Sequence, residues 1–208
     1  MTNTALSARN EISDKSLVRS FSYIGGKWTA AATGETIRVT DPATGDIVGD
    51  VASLTAQESL AAVDAAQSAF PAWPGLLPQD RSAILRRWFD LILKHKEDLA
   101  RIMVLEQGKP LSEARGEIDY AASFVEFYAE EAKRPNIEGV TSHLPDAEVE
   151  VWLEPVGVVA LITPWNFPAA MLTRKAAAAL AVGCTVVAHP SGETPFSALA
   201  LAELAEKA

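Results

Sequence analysis

The first half of the chain carries two kinds of hydrophobic pattern. In residues 21–53, short apolar runs are separated by Gly, Thr and Asp, which predicts short strands joined by turns. Beyond them, apolar residues recur at helical spacing, as they do along the buried face of a helix. This spacing predicts four helices, over residues 55–70, from residue 80 onwards, over residues 97–107 and over residues 111–133.

Single residues indicate where those helices begin and end. Thr55 and Glu58 have the spacing of a capping box. Asp80 is predicted to cap the second helix, and Gly108 is predicted to end the third. The second helix should bury one apolar face, made of Ile84, Leu85, Trp88, Phe89, Ile92 and Leu93. The fourth should bury Ile118, Ala122, Val125 and Tyr128.

The polar stretches predict less structure. Residues 1–20 are polar and are predicted to be a disordered tail. Residues 135–146 are also polar and are predicted to be a connector. Residues 147–153 alternate between apolar and polar, which predicts a strand.

The second half of the chain predicts a parallel sheet. Residues 156–162 form an apolar, β-branched run typical of a buried parallel strand, which Pro164 interrupts. An Ala-rich helix follows and ends at Gly183; residues 185–188 predict a second strand, and Pro195 starts a second helix. This order predicts the beginning of a doubly wound α/β domain, in which ligands bind where the strands end.

Composition narrows the class of protein. The chain has 208 residues, 49% of them hydrophobic and 22% charged, as in a soluble globular protein. Its net charge of −9 argues against nucleic-acid binding, and no apolar run is long enough to predict a membrane span or a signal peptide. A single cysteine fits a reducing cytoplasm, and the three histidines are too scattered to indicate a metal site.

Several motifs of the chain resemble the aldehyde dehydrogenase superfamily. The sequences that carry the resemblance are TPWNFP at 163–168, GCTVV at 183–187 and HPSGETP at 189–195. Residues 173–175 and 194–205 are similar to succinate-semialdehyde dehydrogenases in particular. The amino-terminal motifs of the family follow in order at 23–28, 41–45 and 106–110, so the resemblance covers nearly the whole chain.

The resemblance implies an oxidoreductase that converts an aldehyde into its carboxylic acid with NAD or NADP. Succinate semialdehyde is the favoured substrate and glutarate semialdehyde the next. The family uses a cysteine thiolate, a glutamate base and a Gly-rich pyrophosphate loop, all of which would lie beyond Ala208. We therefore expect a truncated, amino-terminal part of a homo-oligomeric enzyme, inactive by itself.

The family's architecture suggests four parts. After the tail of residues 1–20, residues 21–145 would be helices and short strands of the cofactor-binding domain. Residues 146–154 would contribute a strand to the oligomerisation arm, and residues 155–208 the first, incomplete βαβα part of the dinucleotide-binding fold.

Asn166 is the strongest catalytic candidate that the resemblance implies. When a nucleophile attacks an aldehyde, negative charge develops on the carbonyl oxygen, and a fixed amide N–H stabilises that charge. The family assigns this role to the asparagine at the position of Asn166, together with the backbone amide of the catalytic cysteine. The alternative is a structural asparagine that bridges the turn after the strand.

The resemblance also assigns binding roles around Asn166. The nicotinamide-ribose end of the cofactor cleft would be lined by Ile162, Thr163, Pro164, Trp165 and Asn166. Trp165 could instead be a core aromatic that covers the strand end. Phe167 would line the substrate tunnel or simply pack.

Arg174 is a cation within a very apolar helix. In succinate-semialdehyde dehydrogenases the matching arginine helps hold the distal carboxylate of the substrate, a role that suits the bidentate guanidinium. The alternative is an arginine on the solvent-facing side of the helix. The adjacent Lys175 resembles a family lysine near the active site.

His189, Ser191 and Gly192 form the second predicted cofactor loop. Most family members carry lysine in place of His189, where its ammonium binds the adenosine ribose or its 2′-phosphate. Histidine should weaken that contact, most of all with NADP. Many NAD-preferring members carry glutamate in place of Gly192, and glycine leaves room for a phosphate. The two differences act in opposite directions, so the cofactor stays NAD or NADP.

Three further possibilities stay open. Cys184 has no basic neighbour and is interpreted as an inert core thiol rather than the nucleophile. The chain could be a non-catalytic remnant that binds nucleotide weakly or pairs with a full-length subunit. It could also be a fragment that misfolds and has no function.

Overall fold

The computed structural model describes residues 12–134 and 137–208. Six helices are present in these residues: α1 (Ala56–Ala69), α2 (Pro78–Lys94), α3 (Lys96–Gln107), α4 (Leu111–Glu131), α5 (Ala170–Ala181) and α6 (Pro195–Lys207). The eight strands are β1 (Ser22–Ile24), β2 (Lys27–Thr29), β3 (Thr36–Thr40), β4 (Ile47–Ala52), β5 (Ile137–Val140), β6 (Val149–Trp152), β7 (Val158–Ile162) and β8 (Thr185–His189).

The strands pair into four two-stranded sheets. β1 with β2, β3 with β4, and β5 with β6 are antiparallel, whereas β7 and β8 are parallel. A parallel pair needs a crossover connection, and α5 provides it. The order β7–α5–β8–α6 confirms the predicted beginning of a doubly wound α/β fold.

The core lies between the helices. α4 packs against α2, α3 and α5, and α6 packs against α2 and α3. The largest fully buried side chain on these helices is Phe196, and most of the others are aliphatic, among them Leu85, Ile92, Leu99, Ile118, Leu201 and Leu204. The predicted burial of Ile118, Ala122 and Val125 on α4 is confirmed, with Tyr128 packed against the core at its margin.

Helix α5 is held at both ends by more distant parts of the chain. At its amino-terminal end, the Glu117 carboxylate accepts from the backbone amides of Ala169 and Ala170. At its carboxyl end, Trp73 Nε1 donates to the Leu180 carbonyl over 2.9 Å, and Arg81 Nε donates to the Ala181 carbonyl over 3.2 Å. These contacts satisfy groups that a helix leaves unpaired at its termini.

The prediction of a disordered tail over residues 1–20 is wrong for residues 12–20; residues 1–11 lie outside the described part of the chain. Ile12 and Leu17 are fully buried in the core. The Asp98 carboxylate accepts from the backbone amides of Ser13 and Asp14 over 2.8 and 2.9 Å. These contacts, together with the ion pair of Arg19 with Glu203, hold this polar segment against the rest of the chain.

Three other predictions about single elements need correction. α2 begins at Pro78 with Leu77 as its N-cap, so Asp80 lies in the first turn rather than at the cap. Leu93 is exposed because it lies outside the buried face of α2. The predicted connector over residues 135–146 contains β5, whose backbone pairs with β6.

The strand predicted over residues 156–162 is shorter and less buried than expected. β7 begins at Val158, and the Val156 side chain is 88% exposed. Of the strand itself only Leu161 is fully buried, because β8 is its single neighbour in the sheet. The second predicted strand extends one residue further, to His189.

Among the described residues, none of the helices has the length and apolar character needed to cross a membrane.

Candidate active site

The two loops singled out by the sequence lie side by side. In the parallel pair, Ile162 at the end of β7 is in register with His189 at the end of β8. The backbone amide of Thr163 donates to the His189 carbonyl over 3.2 Å, which extends the pairing by one residue. The structure therefore brings residues 162–168 and residues 189–192 to the same edge of the sheet.

The loop between β7 and α5 exposes several of its side chains. Ile162 is 72% exposed and Trp165 is 55% exposed, while Asn166 and Phe167 are also exposed and Thr163 is buried. Trp165 is therefore not the buried core aromatic considered as an alternative. Apolar side chains at a strand end offer a surface on which a flat, partly apolar ligand could lie.

The Asn166 side chain makes no hydrogen bond within residues 12–134 and 137–208. It does not bridge the turn after the strand, which removes the structural alternative for this residue. Its backbone carbonyl, in contrast, accepts from Lys109 Nζ over 3.1 Å. The backbone of Asn166 is thus held by the protein while its side-chain amide is free to donate to a bound group.

A second lysine holds the other end of the same loop. Lys175 Nζ donates to the Ile162 carbonyl over 3.0 Å. Lys175 is on α5, one helical turn from its start, so the helix that follows the loop also anchors the strand that precedes it. The sequence singled out Lys175 without a definite role, and this contact gives it a structural one.

Arg174 lies on the exposed side of α5. Its guanidinium carbon is 5.8 Å from the ring centroid of Phe124, and its Nη2 is 3.3 Å from the Met171 sulfur. No carboxylate of the described residues forms an ion pair with Arg174. Arg174 therefore lies on the solvent-facing side of its helix, as the alternative interpretation has it, and its charge remains available at the surface.

The second loop is short and turned back on itself. The Ser191 side chain accepts from the Glu193 amide over 3.2 Å, and the Ser191 carbonyl accepts from the Thr194 amide over 3.2 Å. His189 and Gly192 are exposed. A Cβ on Gly192 would meet the Ile37 side chain at 3.9 Å, an ordinary contact, so packing does not require glycine here.

Two buried glutamates occupy the amino-terminal ends of the helices that follow these loops. Glu106 accepts from the amides of Phe196 and Ser197 over 2.7 and 2.8 Å at the start of α6. Glu117 accepts from Ala169 and Ala170 over 3.0 and 3.2 Å at the start of α5. Burial raises the pKa of Glu106 to about 8, although the hydrogen bonds from Ser197 and Phe196 act in the opposite direction.

Sequence reasoning missed Glu106, Lys109 and Glu117 as parts of this region. Glu106 and Lys109 belong to the segment 106–110 that carries part of the family resemblance, but no local pattern shows which helix they reach. A sequence signal does exist for Glu117, because it interrupts the buried face of α4 between Ala114 and Ile118. A charged residue at such a position requires a partner.

Cys184 is buried, as the sequence predicted. In the described parts of the chain, no three His, Cys, Asp or Glu side chains are grouped as metal ligands would be.

Exposed loops at the ends of two parallel strands are the ligand-binding arrangement of doubly wound α/β proteins, the class to which this fold belongs. The chain belongs to the aldehyde dehydrogenase family, which it matches over residues 28–208.

Particular members of that family are very similar to the chain. It is 54% identical over 198 residues to a glutarate-semialdehyde dehydrogenase of Pseudomonas putida, covering 95% of this chain and 41% of that enzyme. It is also 54% identical over 198 residues to an NADP(+) succinate-semialdehyde dehydrogenase of Escherichia coli, with the same coverage of 95% and 41%. The chain therefore spans about two fifths of the length of these relatives.

The fold of the chain is also very similar to solved structures of aldehyde dehydrogenases. The crystal structure of succinate-semialdehyde dehydrogenase from Burkholderia pseudomallei superimposes with a TM-score of 0.93 at 50% identity. That similarity covers 95% of this chain and 41% of the other.

Proposed function

We propose that this chain forms the oxyanion-stabilising and nicotinamide-binding part of an NAD(P)-dependent semialdehyde dehydrogenase. Succinate semialdehyde is the favoured substrate and glutarate semialdehyde the next, in keeping with the names of its relatives. The observation that carries the proposal is the exposed, unbonded side chain of Asn166 on a loop whose backbone is held by Lys109 and Lys175.

The proposed role of Asn166 follows from its surroundings. An amide that makes no hydrogen bond within the described chain can donate to an oxyanion without first breaking another contact. The anchored carbonyls of Ile162 and Asn166 limit the movement of the loop, so the backbone that carries the donor is fixed before charge develops. Donors fixed in this way stabilise a transition state without reorganising during the reaction.

The paired strand ends suit the proposed nicotinamide cofactor. The Thr163 amide donates to the His189 carbonyl, so the loop with Ile162 and Trp165 and the loop with His189, Ser191 and Gly192 lie at the same edge of the sheet. Ile162 and Trp165 would contact the nicotinamide-ribose end, and the second loop the adenosine ribose. NAD or NADP bound there supplies the hydride acceptor. The first amides of α5 and α6 are occupied by Glu117 and Glu106, so the pyrophosphate would be bound elsewhere.

The proposed specificity for a semialdehyde depends on Arg174. Its guanidinium is exposed and lies against Phe124, so it can form a bidentate pair with the distal carboxylate of a dicarboxylic semialdehyde. Phe167 would line the apolar part of the path. The reacting aldehyde would then lie towards Asn166.

The test is a fusion enzyme. Residues 1–208 of this chain are joined to the carboxy-terminal part of the Escherichia coli relative that follows the matched region. With succinate semialdehyde and either NAD or NADP, the fusion should form reduced nicotinamide, whereas the 208-residue chain alone should not. The unmodified Escherichia coli enzyme is the positive control.

A fusion that folds and assembles as the Escherichia coli enzyme does, yet forms no reduced nicotinamide, would contradict the proposal. The alternative is a non-catalytic remnant that binds nucleotide. It is tested by titrating the 208-residue chain with NAD and NADP while tryptophan fluorescence is recorded. Binding without turnover by the fusion would favour a non-catalytic nucleotide-binding remnant. The chain has five tryptophans, so a Trp165→Phe variant identifies the part of the signal that comes from the candidate site.

A further inference from the structure

Two buried charged residues are attached to the loop that carries Asn166. The side chains of Lys109 and Glu117 are 9% and 1% exposed and form an ion pair with each other. Lys109 precedes α4 and Glu117 lies within it, so both belong to a part of the chain far from the loop in sequence. Burial of a charge is costly unless it is paired, which makes each residue dependent on the other.

Glu117 holds the end of the loop where α5 begins. Its Oε1 accepts from the amides of Ala169 and Ala170 over 3.0 and 3.2 Å. The N-cap residue of α5 is Ala169, whose side chain cannot cap the helix. Glu117 therefore supplies from α4 the acceptor that an N-cap side chain normally supplies locally.

Lys109 holds the middle of the same loop. Its ammonium donates to the Asn166 carbonyl over 3.1 Å and lies 4.5 Å from the ring centroid of Phe167. Within the described residues, the Lys109 side chain makes no further hydrogen bond, ion pair or ring contact besides its pair with Glu117. The contacts with Asn166 and Phe167 both fall on the candidate site. Together, Lys109 and Glu117 fix the backbone from Asn166 to Ala170.

We infer that Lys109 and Glu117 are positioning residues, which act on the reaction through Asn166 by fixing the backbone that carries its amide. The inference rests on the proposed role of Asn166. Displacing a reacting group by about 1 Å can cost about a hundredfold in rate, so a loosened loop should lower turnover although neither residue touches substrate.

The first experiment measures hydrogen exchange in the 208-residue chain and does not depend on turnover. Lys109→Met removes the ammonium, and Glu117→Gln removes the carboxylate charge at nearly constant volume. Either change should speed exchange of the Ala169 and Ala170 amides about tenfold, while amides in α2 keep their rates. Lys109→Arg, which retains the charge and the donors, should restore slow exchange.

The chain offers a matched control. Lys96 and Asp119 form an ion pair of 2.6 Å that also joins the segment around α3 to α4, but the Lys96 side chain is only half-buried and Asp119 is exposed. Lys96→Met should leave exchange at Ala169 and Ala170 unchanged. If Lys109→Met has no more effect there than Lys96→Met, the inference is wrong. If Lys109→Met speeds exchange throughout the chain, Glu117→Gln is compared with Lys96→Met instead. If Glu117→Gln then has no more effect at Ala169 and Ala170 than Lys96→Met, the inference is wrong.

The second experiment is a double-mutant cycle in the fusion enzyme. Lys109→Met should lower kcat by about ten- to a hundredfold and leave KM for the cofactor nearly unchanged. In an Asn166→Ala background, the same change should alter kcat by no more than about a factor of two. Multiplicative losses in the double variant would overturn the inference, because Lys109 would then act independently of Asn166.

The two experiments separate the inference from the proposed function. A fusion without turnover would count against the proposed function, while the exchange data would still show whether Lys109 and Glu117 fix the loop. An active fusion with unaltered exchange in Lys109→Met would support the proposed function and refute the inference.

Discussion

Asn166 combines a restrained backbone with an unbonded side chain. The carbonyl is held by Lys109, whereas the amide contacts nothing in the described chain. The amide is exposed and therefore hydrated, so it needs no partner within the chain. This combination is compatible with the oxyanion-binding role proposed for Asn166.

Replacing Asn166 with alanine in the fusion enzyme should lower kcat by about a hundred- to a thousandfold, the usual cost of removing one oxyanion donor. The change should leave the melting temperature close to that of the unmodified fusion, since the side chain makes no hydrogen bond. Steady-state kinetics with succinate semialdehyde measure the effect. Gln67→Ala, which removes an exposed amide from α1, serves as the control and should keep full activity.

Glu106 makes stability depend on pH. Burial raises the pKa of the Glu106 carboxyl from its ordinary value of 4.5 to about 8 in the folded chain. Folding therefore favours the protonated form. The resulting stabilisation is complete below the unfolded pKa and is lost as pH rises towards about 8. The free energy of unfolding should therefore fall by up to about 1.4 kcal/mol per pH unit within this window.

Glu106→Gln cannot ionise, and its single amide oxygen can accept from only one of the Phe196 and Ser197 amides, each of which donates to its own carboxyl oxygen in the unmodified chain. Urea unfolding of the 208-residue chain across this pH window should show a shallower dependence on pH in this variant. Glu113→Gln, at an exposed position of α4, should keep the original slope. Equal slopes in Glu106→Gln and the unmodified chain would show that Glu106 does not control the pH dependence.

His189 marks where cofactor preference could be changed. His189 is exposed at the end of β8. A lysine ammonium at this position would bind a 2′-phosphate more strongly than the imidazole of histidine does. His189→Lys in the fusion should lower KM for NADP by about tenfold, since a hydrogen bond to a charged group contributes about 1.5–3 kcal/mol. KM for NAD should change less. His143→Lys, an exposed position outside the cleft, should change neither value.

At the scale of single elements, α1 depends on its cap. No residue of this helix is fully buried, so tertiary packing contributes little to it. Thr55 Oγ1 accepts from the Glu58 amide over 3.3 Å, and Glu58 accepts from the Thr55 amide over 2.8 Å. Glu58 also accepts from Ala32, and these backbone hydrogen bonds lower the pKa of Glu58.

Thr55→Ala should therefore destabilise the chain by about 1 kcal/mol, as loss of an N-cap usually does. Urea unfolding would measure the change, and circular dichroism at low urea would show whether α1 frays first. Thr141→Ala, an exposed threonine without a capping role, is the control and should be neutral. An equal effect of both substitutions would contradict the importance of the cap.

The elements also show what the sequence could predict. The capping box of α1, the αL glycine that ends α3 and the order β7–α5–β8–α6 follow from local spacing, and all three are confirmed. β5 was missed because its four residues include Glu138 and Gly139 and lie within a polar stretch, although its partner β6 is the next strand along the chain. The ordered segment at 12–20 was missed because its main polar partner, Asp98, lies more than 80 residues away.

The candidate site was predictable to a similar extent. Local motifs and the family resemblance indicated both loops, and strand pairing brings them together as expected. The supporting contacts of Lys109, Glu117 and Glu106 were not predictable, since they join positions 52 to 91 residues apart. Periodicity describes neighbours along the chain, whereas these contacts depend on how the helices pack.

At the scale of the whole molecule, apolar surface remains exposed away from the candidate site. Trp152 in β6 is 60% exposed, and the adjoining Leu153 and Val156 are exposed as well. Exposed apolar groups of this kind are common where protein chains associate. The resemblance assigns the strand to an oligomerisation arm, so we expect the fusion enzyme to form a homo-oligomer through this hairpin.

Trp152→Asp should weaken that association, because it introduces a charge into an apolar contact. Sedimentation velocity of the fusion enzyme should then show smaller species at the same concentration. Leu60→Asp changes an exposed leucine on α1 in the same way and should leave the assembly intact. Unchanged sedimentation of Trp152→Asp would exclude the hairpin from the interface.

The way in which α5 and α6 are held limits how far residues 155–208 can be separated from the rest of the chain. The first amides of the two helices donate to carboxyl oxygens of Glu106 and Glu117, and the last carbonyls of α5 accept from Trp73 and Arg81. Excised as a peptide, residues 155–208 would lack all four partners and would not be an autonomous folding unit. During synthesis on the ribosome, however, α3 and α4 emerge first, so the acceptors are already made when each later helix needs them.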